Sequence, residues 1–570
     1  MEHFVNNDVS MKKERKRMKR TISAILCMLL VLNMALVGCS KKDESTDNSS
    51  TSTSTSQETK KETEKAENEN FNKTGLPIVK EPVTLRIAGA KNQAIAKSYD
   101  ELQFFKDLEE RTNVHIEWDI TPNEGWQEKK SLIFASGDLP DAFYGMWVLQ
   151  NGAYTENDLF NYGQQGLLLP LEDLMKEYAP NLTSFLDENS HYVKDITAPD
   201  GHIYGLPGID ESSPAVTEAF FINTDWLQKV GKEIPTTTDE LYDVLKAFKG
   251  KDLNGNGKED EIPMSFRFKD GNKGIYSLFG SFGLLDSRTH IILDNEKVIF
   301  TAMQPEYKEA IQYFHKLFAE GLIDQEAFTH DGKVYDSKVK NKEPIIGSFV
   351  AWGLNSMFGT TEVDYAPVLP LKGPRGDQKW SRRPGGLRSK GAFVITSACK
   401  YPEVAMRWAN ELYEEDTAIQ SYRGMYGVAI EKTPEGKIKP ITPPEGKKAG
   451  ELRHAESPGV SSLHFMPKAF VEKNVQTDGN REKDELDAMY IPFIPDKVLP
   501  ELFYTQEQSE RLGILQSDIV EYANEMYAKW MMNGGIEEEW DAYVKKLKDM
   551  GVEEMVQILQ DAYDVYANAK

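Results

Sequence analysis

Polar and apolar positions alternate over Val83-Thr84-Leu85-Arg86-Ile87-Ala88 as in a strand. Leu102, Phe104, Phe105 and Leu108 then recur at helical spacing, and Glu109, Glu110 and Arg111 close that pattern. Val114–Trp118 returns to strand, Gln127–Ala135 to helix, Ser136–Asp141 to a turn, and Ala142-Phe143-Tyr144 to a short strand. Strands alternating with helices predict an α/β layer with a largely parallel sheet. Later the helical period dominates, over Glu306–Ala319, Pro402–Glu414, Gln508–Asn533 and Glu537–Leu547. No repeat of solenoid length is present. Three irregular passages, at Gly205–Gly208, Ile345–Ser348 and Ile395–Ala398, have the look of chain crossings between two lobes, and equally of loops within one domain.

The beginning of the chain has a different pattern. Seven basic residues between Lys12 and Arg20 precede an apolar run that starts at Ile22 and ends in Leu36-Val37-Gly38-Cys39. A basic segment, roughly 15 apolar residues and small residues before a cut site make a secretory signal, with Met11 and Met18 as alternative starts. The run falls short of the ~20 residues of a bilayer-spanning helix. Cys39 after Gly38 resembles the lipobox of bacterial lipoproteins, which implies a lipidated (palmitate-bearing) Cys39 as the new N-terminus; the alternative is an ordinary cleaved signal with a chance Cys. Residues 40–74 are Ser, Thr, Lys, Glu and Asn with scarcely an apolar side chain, a composition that cannot offset its ordering entropy by burial. As a flexible tether it reaches ~30 Å on average, enough to lift a domain off a single-membrane envelope.

Charge narrows the range of partners. The chain carries a net charge of −24, and the first 38 residues hold seven basic and three acidic side chains, so the remainder stands at −28. Such a balance repels nucleic acid and anionic lipid headgroups. Beyond Cys27 and Cys39 only Cys399 remains, so the exported chain has no internal disulfide and is held by burial. Cys399 follows an apolar strand pattern and reads as buried and inert.

The sharpest chemical motif is Asp252-Leu253-Asn254-Gly255-Asn256-Gly257-Lys258-Glu259-Asp260-Glu261. Oxygen-bearing side chains at positions 1, 3 and 5 and Gly at 6 match a calcium loop. Asp252, Asn254, Asn256, the Lys258 carbonyl, Asp260 and Glu261 are the candidate ligands. Acids at positions 9 and 10, where an EF-hand has its Glu at 12, make this a shortened variant with a structural role; the alternative is a polar Asn-Gly turn.

Catalytic motifs are thin. There is no His-Glu-x-x-His, no Gly-x-Ser-x-Gly and no phosphate loop. Asp138 and Asp141 could pair as in a glycosidase, although a chain this acidic produces such pairs by chance. Of nine tryptophans, Trp408, Trp530 and Trp540 lie in amphipathic helix patterns and read as core. Trp147, Trp352 and Trp380 lie in loop-like segments after strand patterns, where an α/β protein presents ligand-binding surface and where flat rings suit sugar faces. For each of them core packing is the competing reading. Arg382, Arg383 and Arg388 near Trp380 would suit a carboxylate, or would pair with surplus surface acids.

The lipobox and tether, Ser136-Gly137-Asp138-Leu139-Pro140-Asp141, Phe221–Leu227, Pro235–Leu241, Asp252–Pro263 and Thr396–Ala405 together resemble the large extracellular solute-binding lipoproteins of carbohydrate ABC importers. The resemblance spans about residues 80–560. It implies an α/β, two-lobe, periplasmic-binding-protein-like fold with a hinge and an interlobe cleft. It also implies an oligosaccharide ligand, delivery to ABC permease subunits, a monomer, and a lipid anchor on the extracellular face of the cell membrane. Trp352 stands where related proteins put a sugar-stacking Trp, and Trp147, Trp380, Arg382 and Asp138 complete the expected ligand set. The expected division is 1–38 signal, 39–75 linker, 76–210 and 349–400 first lobe, 211–348 and 401–570 second lobe. The insertion at 440–500 departs from the family pattern at the outer wall of the cleft. The rival readings are a tethered polysaccharide hydrolase or lyase, and a cell-wall interaction module.

Overall fold

The computed structural model describes residues 69–146, 157–271, 273–475 and 477–569. The signal, Cys39 and Trp147 lie outside them. The alternating segment forms β1 (Val83–Lys91), followed by α1 (Gln103–Thr112), β2 (Val114–Pro122), α2 (Asn123–Ser136) and β3 (Ala142–Tyr144). Phe104, Phe105 and Leu108, the stripe seen in the sequence, are the buried face of α1. Asn113, at φ 60°, ends α1 in the left-handed conformation that Asn tolerates better than most residues.

β1 pairs in parallel with β2 on one side and β3 on the other. The sheet is then extended by β4 (Leu206–Asp210), while β5 (Ala219–Asn223), β6 (Ser348–Ala351) and β7 (Tyr365–Val368) form a second sheet. β8 (Leu387–Ile395) and β9 (Phe465–Met466) complete the first, in the order β9-β4-β8-β3-β1-β2. The expectation of a largely parallel sheet needs correction. β8 runs antiparallel to both β3 and β4, and β5 is antiparallel to both its neighbours. The start of β8 and the carboxyl ends of the other five strands of the first sheet therefore share one edge, where an α/β sheet holds its ligand.

Two large apolar cores follow from this. One runs from Ile78 to Ile209 and resumes from Ala392 to Phe465; the other runs from Val216 to Trp380 and resumes from Leu486 to Tyr563. The expected division at 349 and 401 is thus misplaced. Phe349, Val350 and Leu371 join the second core because β6 pairs with β5, and Val404, Trp408 and Phe465 join the first. The chain passes between the cores near 210–216, 380–387 and 471–486, not at the three irregular passages: Gly205–Gly208 leads into β4, and Ile395–Ala398 leaves β8. The C-terminal helices Gln506–Asn533, Ile536–Asp549 and Val552–Asn568 bury Trp530, Tyr543 and Leu559 in the second core. Among the described residues no helix is long and apolar enough to cross a membrane.

Candidate functional site

At the strand-end edge the passages bound a cleft of about 930 Å³, lined from both cores. Trp352, directly after β6, is half-buried in its wall. The same wall continues in a helix at Asp478–Tyr490, inside the segment expected to be an insertion, and Thr477 caps its start by accepting from Asn480 N at 3.2 Å. Three side chains of that helix organise the site. Glu482 accepts from the backbone N–H groups of Leu354 and of Asn355 (3.0 Å), satisfying donors at the start of a short helix. Asp487 accepts from Ala215 N at 2.7 Å and Val216 N at 3.0 Å, fixing the first passage. Lys483 donates to the Trp352 carbonyl at 2.6 Å, with its ammonium 4.5 Å from the ring centroid. Burial pushes the Lys483 ammonium down to about 8. The Arg383 guanidinium also lies over the Trp352 ring, at 5.8 Å, so two cations hold the indole in place.

The first-core side of the cleft is built on Asp210, Glu211 and Tyr192. Glu211 accepts from Tyr192 Oη at 3.0 Å and from Lys468 N at 2.7 Å. Burial alone would raise the Asp210 carboxyl, but hydrogen bonds from Ser212 and the positive field of Arg388 hold it below the ordinary carboxylate range. His464 lies 3.5 Å from it and is itself buried. Burial pushes the His464 imidazole down to about 3, so it is neutral in the folded protein at neutral pH. Its contribution is complete above the unfolded-state value near 6.5 and is lost as pH falls from there toward 3. His464→Gln is accordingly expected to flatten the acid limb of the stability curve between pH 6.5 and 4, as read by denaturant melts; parallel limbs for the two proteins would refute that role.

The residues singled out in the sequence separate into three groups. Trp352 and Arg382 line the cleft, Arg382 with Nη1 donating to the Pro495 carbonyl at 3.3 Å. Trp380 requires correction. It is 1% exposed, donates Nε1 to the Glu218 carbonyl at 3.0 Å and packs edge-on against Tyr490, so it is core. Asp138 is also misplaced as a ligand group. It pairs with Arg86 at 2.7 Å at the amino end of β3, the edge opposite the cleft, and Asp141 accepts from Arg86 N there. Sequence reasoning missed Tyr192, Arg423 and Lys483. Nothing in their local pattern distinguishes them, since only the assembled sheet edge brings residues 192, 352, 423 and 483 together. Cys399 is half-buried, and burial pushes its thiol up to about 12, which leaves it unreactive.

The Asp252–Glu261 loop is folded on its own side chains. Asp252 accepts from Gly257 N at 2.9 Å, Asn254 Oδ1 from Asn256 N at 3.0 Å and Asn256 Oδ1 from Lys258 N at 2.9 Å. Gly255 and Gly257, at φ 79° and 80°, take the left-handed turns this winding needs. Glu261 is buried; Oε1 accepts from Leu253 N and Asn254 N, and Oε2 has no partner. No three His, Cys, Asp or Glu side chains converge on one point among the described residues.

The family model for bacterial extracellular solute-binding proteins matches residues 91–419. The fructooligosaccharide ABC transporter substrate-binding protein FusA of Streptococcus pneumoniae serotype 4 is 34% identical over 504 residues, covering 86% of this chain and 91% of the relative. A solved FusA EF-hand mutant in complex with fructo-nystose superposes with a TM-score of 0.70 at 33% identity, over 85% of this chain and 100% of that one. An HMO-binding ABC-transporter-associated solute-binding protein from Bifidobacterium longum infantis gives 0.71 at 28% identity, over 86% and 100%. With its two cores, its strand-edge cleft and these likenesses, the chain belongs to the bacterial extracellular solute-binding proteins.

Proposed function

We propose that the protein captures an oligosaccharide in the interlobe cleft and delivers it to the permease of an ABC importer, without breaking a bond in it. The observation that carries this is the half-buried Trp352, held by Lys483 in the wall of a cleft that both cores line. An indole presents a flat apolar face to the C–H groups of a sugar ring, while the surrounding carboxylates and guanidiniums suit its hydroxyls. A ligand touching both lobes binds the closed arrangement better than the open one and shifts the population toward it. The FusA likeness makes kestose the first probe. Calorimetry should show saturable binding of kestose or another oligosaccharide, with no release of reducing ends. Steady turnover of the sugar overturns the reading. On the same proposal Cys39 carries a lipid that anchors a monomer to the outer face of the membrane, and palmitate labelling abolished by Cys39→Ser tests that part.

For the loop at 252–261 we propose a structural calcium ion, which would draw Asp252, Asp260 and Glu261 together from their separate positions. The unpartnered Oε2 of buried Glu261 supplies a hard oxygen, and Asp252, Asn254, Asn256, the Lys258 carbonyl and Asp260 supply the others a calcium ion takes. The FusA relative solved as an EF-hand mutant supports this choice of ion. An ion bound only by the folded state stabilises it by mass action. EDTA is expected to lower the melting temperature of the wild-type protein and to leave Glu261→Gln unaffected. Identical melts before and after chelation, with elemental analysis showing that the chelator has stripped bound calcium or that added calcium is not taken up, refute the site.

A further inference from the structure

Around Trp352 the cleft holds two guanidiniums whose N–H groups meet no acceptor among the described residues, Arg383 lying over the Trp352 ring and Arg423 over the Tyr422 ring. Arg383 is half-buried, leaving the second core, and Arg423 ends the helix at Glu415–Arg423 on the first. Both line the cleft. Neither side chain donates a hydrogen bond to any described residue, and the enclosed Nε of Arg423 has no partner at all. Their neighbours are otherwise engaged. Arg388 donates to Ser213 Oγ, Arg453 Nε to the Tyr422 carbonyl at 2.5 Å, and Arg382 to the Pro495 carbonyl.

Several acids at the cleft are engaged by the protein itself. Glu211, Glu482 and Asp487 each accept from backbone N–H groups, and Asp210 accepts from Ser212. Arg383 and Arg423 line the same cleft, Arg383 beside Trp352 and Arg423 beside Tyr422, and the field of Asp210 reaches both. Burial lowers the basicity of both, and Arg388 beside Arg383 and Arg453 beside Arg423 lower it further. A chain with a net charge of −24 has carboxylates in excess, yet among the described residues none forms an ion pair with either fork, and Asp210 acts on both only through its field. Half-buried guanidiniums with unfilled donors cost stability unless a group of opposite charge completes them.

The geometry points to an anion subsite: Arg383 and Arg423 take the carboxylate of a uronic-acid residue in the bound oligosaccharide, beside Trp352. This rests on the oligosaccharide reading of the cleft. A planar fork matches a carboxylate with two parallel N–H···O bonds, and an exocyclic carboxylate lies in reach while the ring it belongs to stacks on an indole. Neutral sugars lacking the carboxylate leave both forks unfilled.

The test is calorimetric, on the full mature chain. The probes are tri-galacturonate, tri-mannuronate and an aldouronic acid from glucuronoxylan, each paired with its carboxyl-methyl ester, with kestose as the neutral reference. At least one acid is expected to bind about tenfold or more tighter than its own ester, and its affinity to fall with added salt. Arg423→Gln and Arg383→Gln should each bring the acid down to the affinity of its ester measured on the same variant, and flatten the salt dependence. Arg423→Lys, which keeps the charge and loses the fork, should fall between. If the Gln variants melt early, the acid-against-ester comparison on the unaltered protein decides by itself. Equal affinity for acid and ester, or tight kestose binding with every acid excluded, overturns the anion subsite and leaves the oligosaccharide reading standing. Absence of binding to all seven sugars overturns the oligosaccharide reading, and the subsite with it.

Discussion

Trp352→Ala is expected to weaken oligosaccharide binding by about tenfold to a hundredfold while shifting the melting temperature little. The indole lines the cleft half-buried, so removing it takes away the apolar face offered to the sugar without opening a sealed core. Loss of one aromatic platform is worth roughly 1.5–3 kcal/mol, and each 1.4 kcal/mol is a factor of ten in affinity. Truncation also strips Lys483 and Arg383 of the ring they flank, leaving two cations side by side. Trp352→Phe, which keeps a smaller face, should recover part of the loss. Trp380→Ala is expected to behave in the opposite way, lowering stability by about 3–5 kcal/mol as a core truncation does. Unchanged affinity in Trp352→Ala by calorimetry, on protein with a native melt, removes the stacking platform from the site.

The second large effect lies away from the cleft, at Gly373. The turn at Gly373–Asp377 is closed by Gly373 N donating to the Asp377 carbonyl at 2.9 Å, and it rests on the fully buried 3-10 helix Tyr276–Phe282. A Cβ on Gly373 would stand 1.6 Å from the Ser281 carbonyl oxygen and 2.7 Å from its carbon. Backbone atoms of a buried helix cannot step aside as the tip of a long side chain can. Ser281 is further tied by its hydroxyl to the Leu371 carbonyl at 2.8 Å. Gly373→Ala is therefore expected to cost about 3 kcal/mol or more, a size reached only by changes that break packing outright. The control is Gly513→Ala, on the exposed face of the helix Gln506–Asn533 with open space around it; it should stabilise by about 0.5–1 kcal/mol. Urea midpoints of the two variants measure the difference, and similar midpoints would contradict the close approach.

Local periodicity carried the sequence reading wherever burial is decided by near neighbours. The stripe Phe104–Leu108 and the alternation of Val83–Ala88 became α1 and β1 because one face of each packs on the same sheet. Gly255 and Gly257 were legible as turn residues because a left-handed φ is a local demand. The lobe division was not legible in the same way. Whether Phe349 belongs to the first or the second core depends on its register partner Phe221, more than a hundred residues away. Trp380 shows the same limit, since a loop-like neighbourhood in sequence gives no hint that Tyr490 will close over the ring. Arg423 and Lys483 were invisible for the complementary reason. They lie on ordinary amphipathic helices, and only the meeting of strand ends turns their charges into a common cleft.

The uneven way the two cores draw on the chain has a consequence for its synthesis. The first core takes its last residue at Phe465, whereas the second needs Leu486 through Tyr563, and the helix carrying Glu482, Lys483 and Asp487 begins only at Asp478. At cellular elongation rates those closing residues emerge on the order of ten seconds after the first core is complete. Throughout that interval β5, β6 and β7 have no C-terminal helices to cover them. A chain cut short anywhere before the final helix would hold one finished half and one sticky, protease-sensitive half, so a binding-competent surface is reserved for molecules made to the end.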